Sequence, residues 1–151
     1  MSNKRLFFGS AYYPESWPGQ DIEKELDKML EIGLNLIRVG EFAWSTMEPK
    51  KGEYDLSLFR KVVDIAKTKD MNVLMCTPTP CPPVWMVEED KDVLFTNLQG
   101  RKVTHGARRL TCFSNELYID RCKKIPEVLA KEFYKQYPIS EDSKGQKPYE
   151  V

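Results

Sequence analysis

The sequence predicts an α/β chain, part of a closed barrel of alternating strands and helices, about three βα units long and incomplete. Three observations carry that prediction. Strand-sized apolar runs alternate with segments of helical period. The turn after the first run, YYPESWPGQ, holds aromatics, prolines and a single glycine, whereas a nucleotide-binding doubly wound sheet carries a Gly-rich loop there. Each run also ends in polar or aromatic residues: Tyr12, Tyr13 and Glu15, then Arg38 and Glu41, then Thr77 and Thr79. That is where a (β/α)8 TIM barrel assembles its active site.

The elements follow in order. LFFGSAYY, residues 6–13, is the first strand. In DIEKELDKMLEIG the apolar residues Ile22, Leu26, Met29 and Leu30 recur at helical spacing, and Gly33 is placed to stop the helix. Residues 34–40 form the second strand. DLSLFRKVVDIAKTKD repeats the helical pattern through Leu58, Phe59, Val62, Ile65 and Ala66, with Asp55 as its N-cap. NVLMCT, residues 72–77, is the third strand. Residues 78–111, rich in proline and charge, read as one long irregular stretch of the kind that is usually functional or disordered. Ser114 is placed to cap a third helix running to residue 137, with Leu117, Ile125, Val128, Leu129 and Phe133 on its apolar face. Pro126 removes a backbone donor and crowds the carbonyl of Cys122, which predicts a kink or break near Ile125. Residues 1–138 thus form the barrel portion, and the polar, aperiodic residues 139–151 a disordered tail.

Composition excludes several functions. A 151-residue chain with 41% hydrophobic and 30% charged residues is an ordinary globular domain. Lys+Arg and Asp+Glu balance at 23 each, so no global field favours nucleic acid. The apolar stretches are too short for a membrane span and MSNKRLFFGS too short in apolar length for a signal peptide, which predicts a cytoplasmic protein without a membrane partner. Cys76, Cys81, Cys112 and Cys122 make no C-x-x-C pair, and His105 is the sole histidine, so neither a structural zinc site nor a catalytic triad is expected.

Four motifs, AYYPESWP, RVGEFAWSTMEP, TPTPCPPVWM and GARRLTCFSNELY, stand in an order and at separations that resemble the N-terminal barrel region of the glycoside hydrolase family 42 β-galactosidases, from about Phe8 to about Tyr137. The resemblance implies a retaining β-galactosidase that hydrolyses terminal non-reducing β-D-galactose residues without an organic cofactor, in a parent enzyme that is a candidate homo-oligomer. Such enzymes place two carboxylates about 5 Å apart, one protonating the leaving oxygen and one attacking the anomeric carbon. In the family the acid/base is the Glu of an Asn-Glu pair ending the fourth strand, and the nucleophile lies much further along. Neither position has a match here, because the region after Tyr137 reads PISEDSKGQKPYEV, so the chain is expected to be a fragment, inactive alone.

What the resemblance does carry over is on the substrate side. Arg38 and Arg108 fall where the family's arginines hold galactose hydroxyls. A guanidinium suits that role, with five fixed donors and a permanent charge. Chemistry alone leaves an alternative, in which Arg38 simply pairs with Glu41 or another strand-end acid. Glu41 and Glu48 match no catalytic position of the family, and Glu41 is expected to support Arg38. Trp44, Trp85 and Phe95 fit core packing or loop anchoring as well as sugar stacking. Cys112 falls on a position that ligates zinc in some members, but its partners there have no counterpart in this sequence, so no metal is expected. The rival reading is a non-catalytic sugar-binding or pseudoenzyme domain that retains Arg38 and Arg108. The weakness of that rival is stability, because three βα units leave two open sheet edges and an uncovered inner face, which favour aggregation or self-association unless a partner closes them.

Overall fold

The computed structural model describes residues 6–106 and 108–134. Three parallel strands, β1 (Gly9–Ala11), β2 (Leu36–Val39) and β3 (Asn72–Met75), lie side by side in chain order. Ala11, Arg38 and Leu74 stand in register across the sheet. Between β1 and β2 runs α1 (Ile22–Glu31); between β2 and β3 run the single turn α2 (Trp44–Met47) and the longer α3 (Ser57–Thr68).

Strand alternation decides which face is covered. Ile37 and Val39 of β2 are fully buried, whereas Leu36 and Arg38, on the opposite face, are half-buried, and Leu74 beside Arg38 is 51% exposed. The helices therefore cover one face of the sheet, and the other stays open within the described residues. Ile22 and Leu26 of α1, with Phe59, Val62, Val63 and Ala66 of α3, close over the covered face in one core. Val63, absent from the predicted stripe, is as buried as its neighbours and belongs to the same core.

Helix boundaries follow local chemistry. Asp21 caps α1 by accepting from the Lys24 N–H. Gly33, at φ +90°, ends that helix with its own N–H donating to the Leu30 carbonyl and the Leu34 N–H to Met29. At α3 the N-cap is Leu56 rather than the expected Asp55, which stands one residue earlier and still accepts the Ser57 N–H at 2.9 Å through its carboxylate.

Four more expectations are corrected. The first strand begins at Gly9, not residue 6; the stretch before it is held by Asn35, whose side chain accepts from Phe8 N and donates to the Leu6 carbonyl and whose N–H donates to the Phe8 carbonyl. Residues 78–111 are not one irregular stretch. They contain α4 (Val84–Glu89) and a 3-10 turn at Lys91–Val93, anchored by the buried side chains of Met86 and Val93. The last helix, α5 (Glu116–Phe133), is capped by Asn115 rather than Ser114; the Asn115 amide oxygen accepts from Tyr118 N at 2.9 Å while its nitrogen donates to Asp90.

Finally, α5 runs through Pro126 without a break. Ile125, Leu129 and Phe133, before and after the proline, are all buried in the common core, so packing holds both halves in line. An Arg60–Glu132 ion pair at 2.6 Å ties α5 to α3. Beside it, at the free edge of β3, a cleft of about 300 Å³ remains, lined by Met75, Cys76, Pro126, Leu129 and Phe133. Residues 139–151 lie outside the described residues.

Candidate functional site

Arg38 is the third residue of β2, and its side chain emerges on the open face of the sheet near the strand's C-terminal end. Its backbone is locked, since its carbonyl accepts the Tyr12 N–H at 2.8 Å. Two residues on, Gly40 adopts φ +85°, and a Cβ there would meet Met47 Cε at 2.7 Å. The positive φ favours glycine here, and a side chain would also have to displace the end of Met47. The chain turns at this point, with the Ala43 N–H donating to the Gly40 carbonyl, and the turn presents Glu41 and Phe42 consecutively. Glu41 Oε2 lies 2.6 Å from Arg38 Nη2, with the side chains 19% and 42% exposed. The pair also acts on Cys76, just past β3. Burial pushes that thiol's pKa up, the Arg38 charge works against the rise and Glu41 adds to it.

Phe42 faces a different partner. Its ring stacks with Tyr13, from the end of β1, at 5.9 Å between centroids and 25° between planes. The Arg108 guanidinium sits 3.8 Å from the Phe42 centroid and 5.9 Å from that of Tyr13. Arg108 reaches this position from the segment between α4 and α5, where the Arg109 N–H donates to the Pro80 carbonyl at 2.8 Å. It forms no salt bridge among the described residues. The turn after β2 thus carries one contact to each of the two arginines singled out by sequence.

Other sequence candidates have structural roles. Glu48 is 1% exposed; its carboxylate accepts from Trp44 Nε1 at 2.8 Å and from the Gly52 N–H at 2.9 Å, and its carbonyl accepts from Trp85 Nε1 at 2.9 Å. Trp44 is fully buried and Trp85 packs against the core, so both anchor loops. Phe95 is half-buried, its backbone paired with Leu110 and Val103. The Asn115-Glu116 step, the sequence's one Asn-Glu pair, opens α5 as a cap and first-turn acid. Among the described residues, no three His, Cys, Asp or Glu side chains are grouped to hold a metal.

Glu15 flanks the end of β1 and bears a buried carboxylate oxygen with no hydrogen-bond partner. Burial raises its pKa above the usual 4.5, outweighing the backbone hydrogen bond that lowers it. The folded chain therefore holds the proton more tightly than the unfolded chain does. The penalty is absent below about pH 4.5 and grows as pH rises through the folded value. Glu15→Gln is accordingly expected to raise stability at pH 7 and to have little effect at pH 4, as read from urea midpoints at the two pH values. An equal effect at both would mean that charge burial is not the cause.

Comparison with known proteins decides the family. Residues 11–140 match the glycoside hydrolase 42 family described as β-galactosidase. The β-galactosidase YesZ of Bacillus subtilis (strain 168) is 35% identical over 129 residues, which is 85% of this chain and 20% of that protein. The chain belongs to glycoside hydrolase family 42.

The β-galactosidase of Thermus thermophilus is 33% identical over 125 residues, 83% of this chain and 19% of its own length. Among solved structures, the β-galactosidase of the psychrophilic Marinomonas ef1 superposes with TM-score 0.80 at 34% identity, covering 88% of this chain and 20% of that one. That of the Antarctic haloarchaeon Halorubrum lacusprofundi superposes with TM-score 0.78 at 30% identity, covering 89% and 20%. The chain spans about a fifth of the length of these family 42 relatives. Its three parallel βα units are part of a family 42 TIM barrel, so the open face of the sheet is the face that a barrel turns inward. In the sequence, Phe42 carried no assigned role; an aromatic immediately after a strand-end acid was the available signal.

Proposed function

We propose that this chain forms part of a retaining β-galactosidase acting in the cytoplasm on terminal non-reducing β-D-galactose residues, with Arg38 and Arg108 donating to galactose hydroxyls and Glu41 holding Arg38. One observation carries the reading beyond family membership. Both guanidinium groups are anchored on a single turn at the C-terminal end of β2, Arg38 through Glu41 and Arg108 through Phe42. Barrel enzymes gather ligand contacts at that end of the sheet. Arginines with fixed orientation bind acceptor hydroxyls at a low cost in side-chain entropy.

The two carboxylates that such a mechanism requires are not assigned to any residue of this chain. Glu41 is engaged by Arg38, Glu48 by Trp44 and Gly52, and Glu116 lies in the first turn of α5. The polypeptide of residues 1–151 is therefore expected to bind galactose weakly and to release nothing from a chromogenic β-galactoside. Galactose titration followed by arginine side-chain NMR tests the reading: the signals of Arg38 and Arg108 should move together, and Arg108→Ala should weaken binding by more than about tenfold. Turnover abolished by Glu41→Gln would overturn the assignment of Glu41, and a titration that leaves both arginine signals unmoved would overturn their assignment as galactose contacts.

A further inference from the structure

We infer that Phe42 and Tyr13 are positioning residues for Arg108: their stacked rings form a platform that fixes the guanidinium plane at the mouth of the sheet and leaves its in-plane N–H donors available to a polyhydroxylated ligand. Three observations converge. The guanidinium lies 3.8 Å from the Phe42 centroid, within direct contact with the ring face. Phe42 is itself held by the near-parallel Tyr13 ring, so the platform joins the ends of two strands. Arg108 also has no salt bridge among the described residues, in contrast to Arg38, whose guanidinium is engaged by Glu41.

The difference in physics has a consequence. A carboxylate partner occupies a guanidinium's in-plane donors, whereas a ring beneath it occupies only the face and leaves those donors unspent. Glu41 and Phe42 are adjacent in sequence, and Gly40 at φ +85° starts the turn that presents both. One short turn thereby orients two arginines in different ways, one through charge and the other through a π face. Arg108 is exposed and comes from a segment without long regular structure, so without the platform its long side chain would sample many rotamers.

The inference rests on the reading of Arg108 as a galactose contact, and the test separates the two. In the unliganded 1–151 chain, the Arg108 side-chain protons are expected to show an upfield ring-current shift that Phe42→Leu removes in large part and Phe42→Tyr retains. Galactose affinity is expected to fall about two- to fivefold in Phe42→Leu, in line with the loss of one partly solvated cation–π contact, and to recover in Phe42→Tyr. Tyr13→Leu, which leaves Phe42 in place, should reduce the ring-current shift partially and serves if Phe42→Leu fails to fold. If the shift is absent in the parent chain, or persists unchanged in Phe42→Leu, the platform is wrong whatever galactose does. If the shift behaves as expected but Arg108→Ala leaves galactose affinity unchanged, the platform stands as a stacking arrangement, while the galactose-contact reading and the positioning role built on it both fall.

Discussion

Glu48→Ala is expected to lower the chain's stability by about 3–5 kcal/mol, a large share of a total that for a domain of this size is about 5–15 kcal/mol. The side chain is 1% exposed and its two oxygens serve different donors, Trp44 Nε1 and the Gly52 N–H. The pKa of the Tyr54 hydroxyl is raised, by burial foremost and by the Glu48 charge after it. Alanine would strip an acceptor from each of these donors and leave a void beside the fully buried Trp44. Each buried donor left unpaired costs about 1–3 kcal/mol. Glu48→Gln should be milder, since the amide oxygen still accepts one bond while its NH₂ faces a donor. Urea denaturation of the three proteins would rank them in that order, and a Glu48→Ala midpoint equal to that of the parent would show that Glu48 is not a structural clamp.

The second large effect concerns ligand recognition. In a family 42 enzyme given residues 11–134 of this chain in place of its own matched segment, Arg38→Ala is expected to lower kcat/KM roughly ten- to more than a hundredfold. That corresponds to losing one charged hydrogen bond to a sugar hydroxyl, about 1.5–3 kcal/mol. Stability should change little. The Arg38–Glu41 pair is 42% and 19% exposed, and ion pairs that open to solvent are worth about 0–1 kcal/mol. The two magnitudes separate the competing roles of Arg38. Unchanged kinetics with a clear fall in melting temperature would assign it to the ion pair alone.

Much of the scaffold is legible in the sequence because it is written locally. Period, Asp55 and the stop glycine place α1 and α3 to within a residue or two, since Asp55 and Gly33 act on N–H and C=O groups a few positions away. The strands are found by their apolar runs but not their limits; the Asn35 side chain that holds residues 6–8 belongs to another segment of the chain. α4 was hidden in a proline-rich stretch for a related reason. Its few apolar residues, Met86 among them, become a helix face only once a core exists to receive them.

By itself, the sequence determined an α/β chain of three βα units, its family through four ordered motifs, and Arg38, Glu41 and Arg108 as the residues worth watching. Tertiary structure alone decided how those residues are held. The Arg38–Glu41 contact spans three positions and could be suspected from spacing, but Arg108 lies 66 residues from Phe42 and 95 from Tyr13, and no local pattern joins them. Tertiary structure also separated Glu48 from Glu41, two acids seven residues apart in sequence, by placing one inside the core among donors and the other beside a half-exposed arginine. The physical reason is the same in each case. Periodicity and capping are short-range and can be read along a chain, whereas burial and side-chain contact depend on which distant segments the folded sheet brings together.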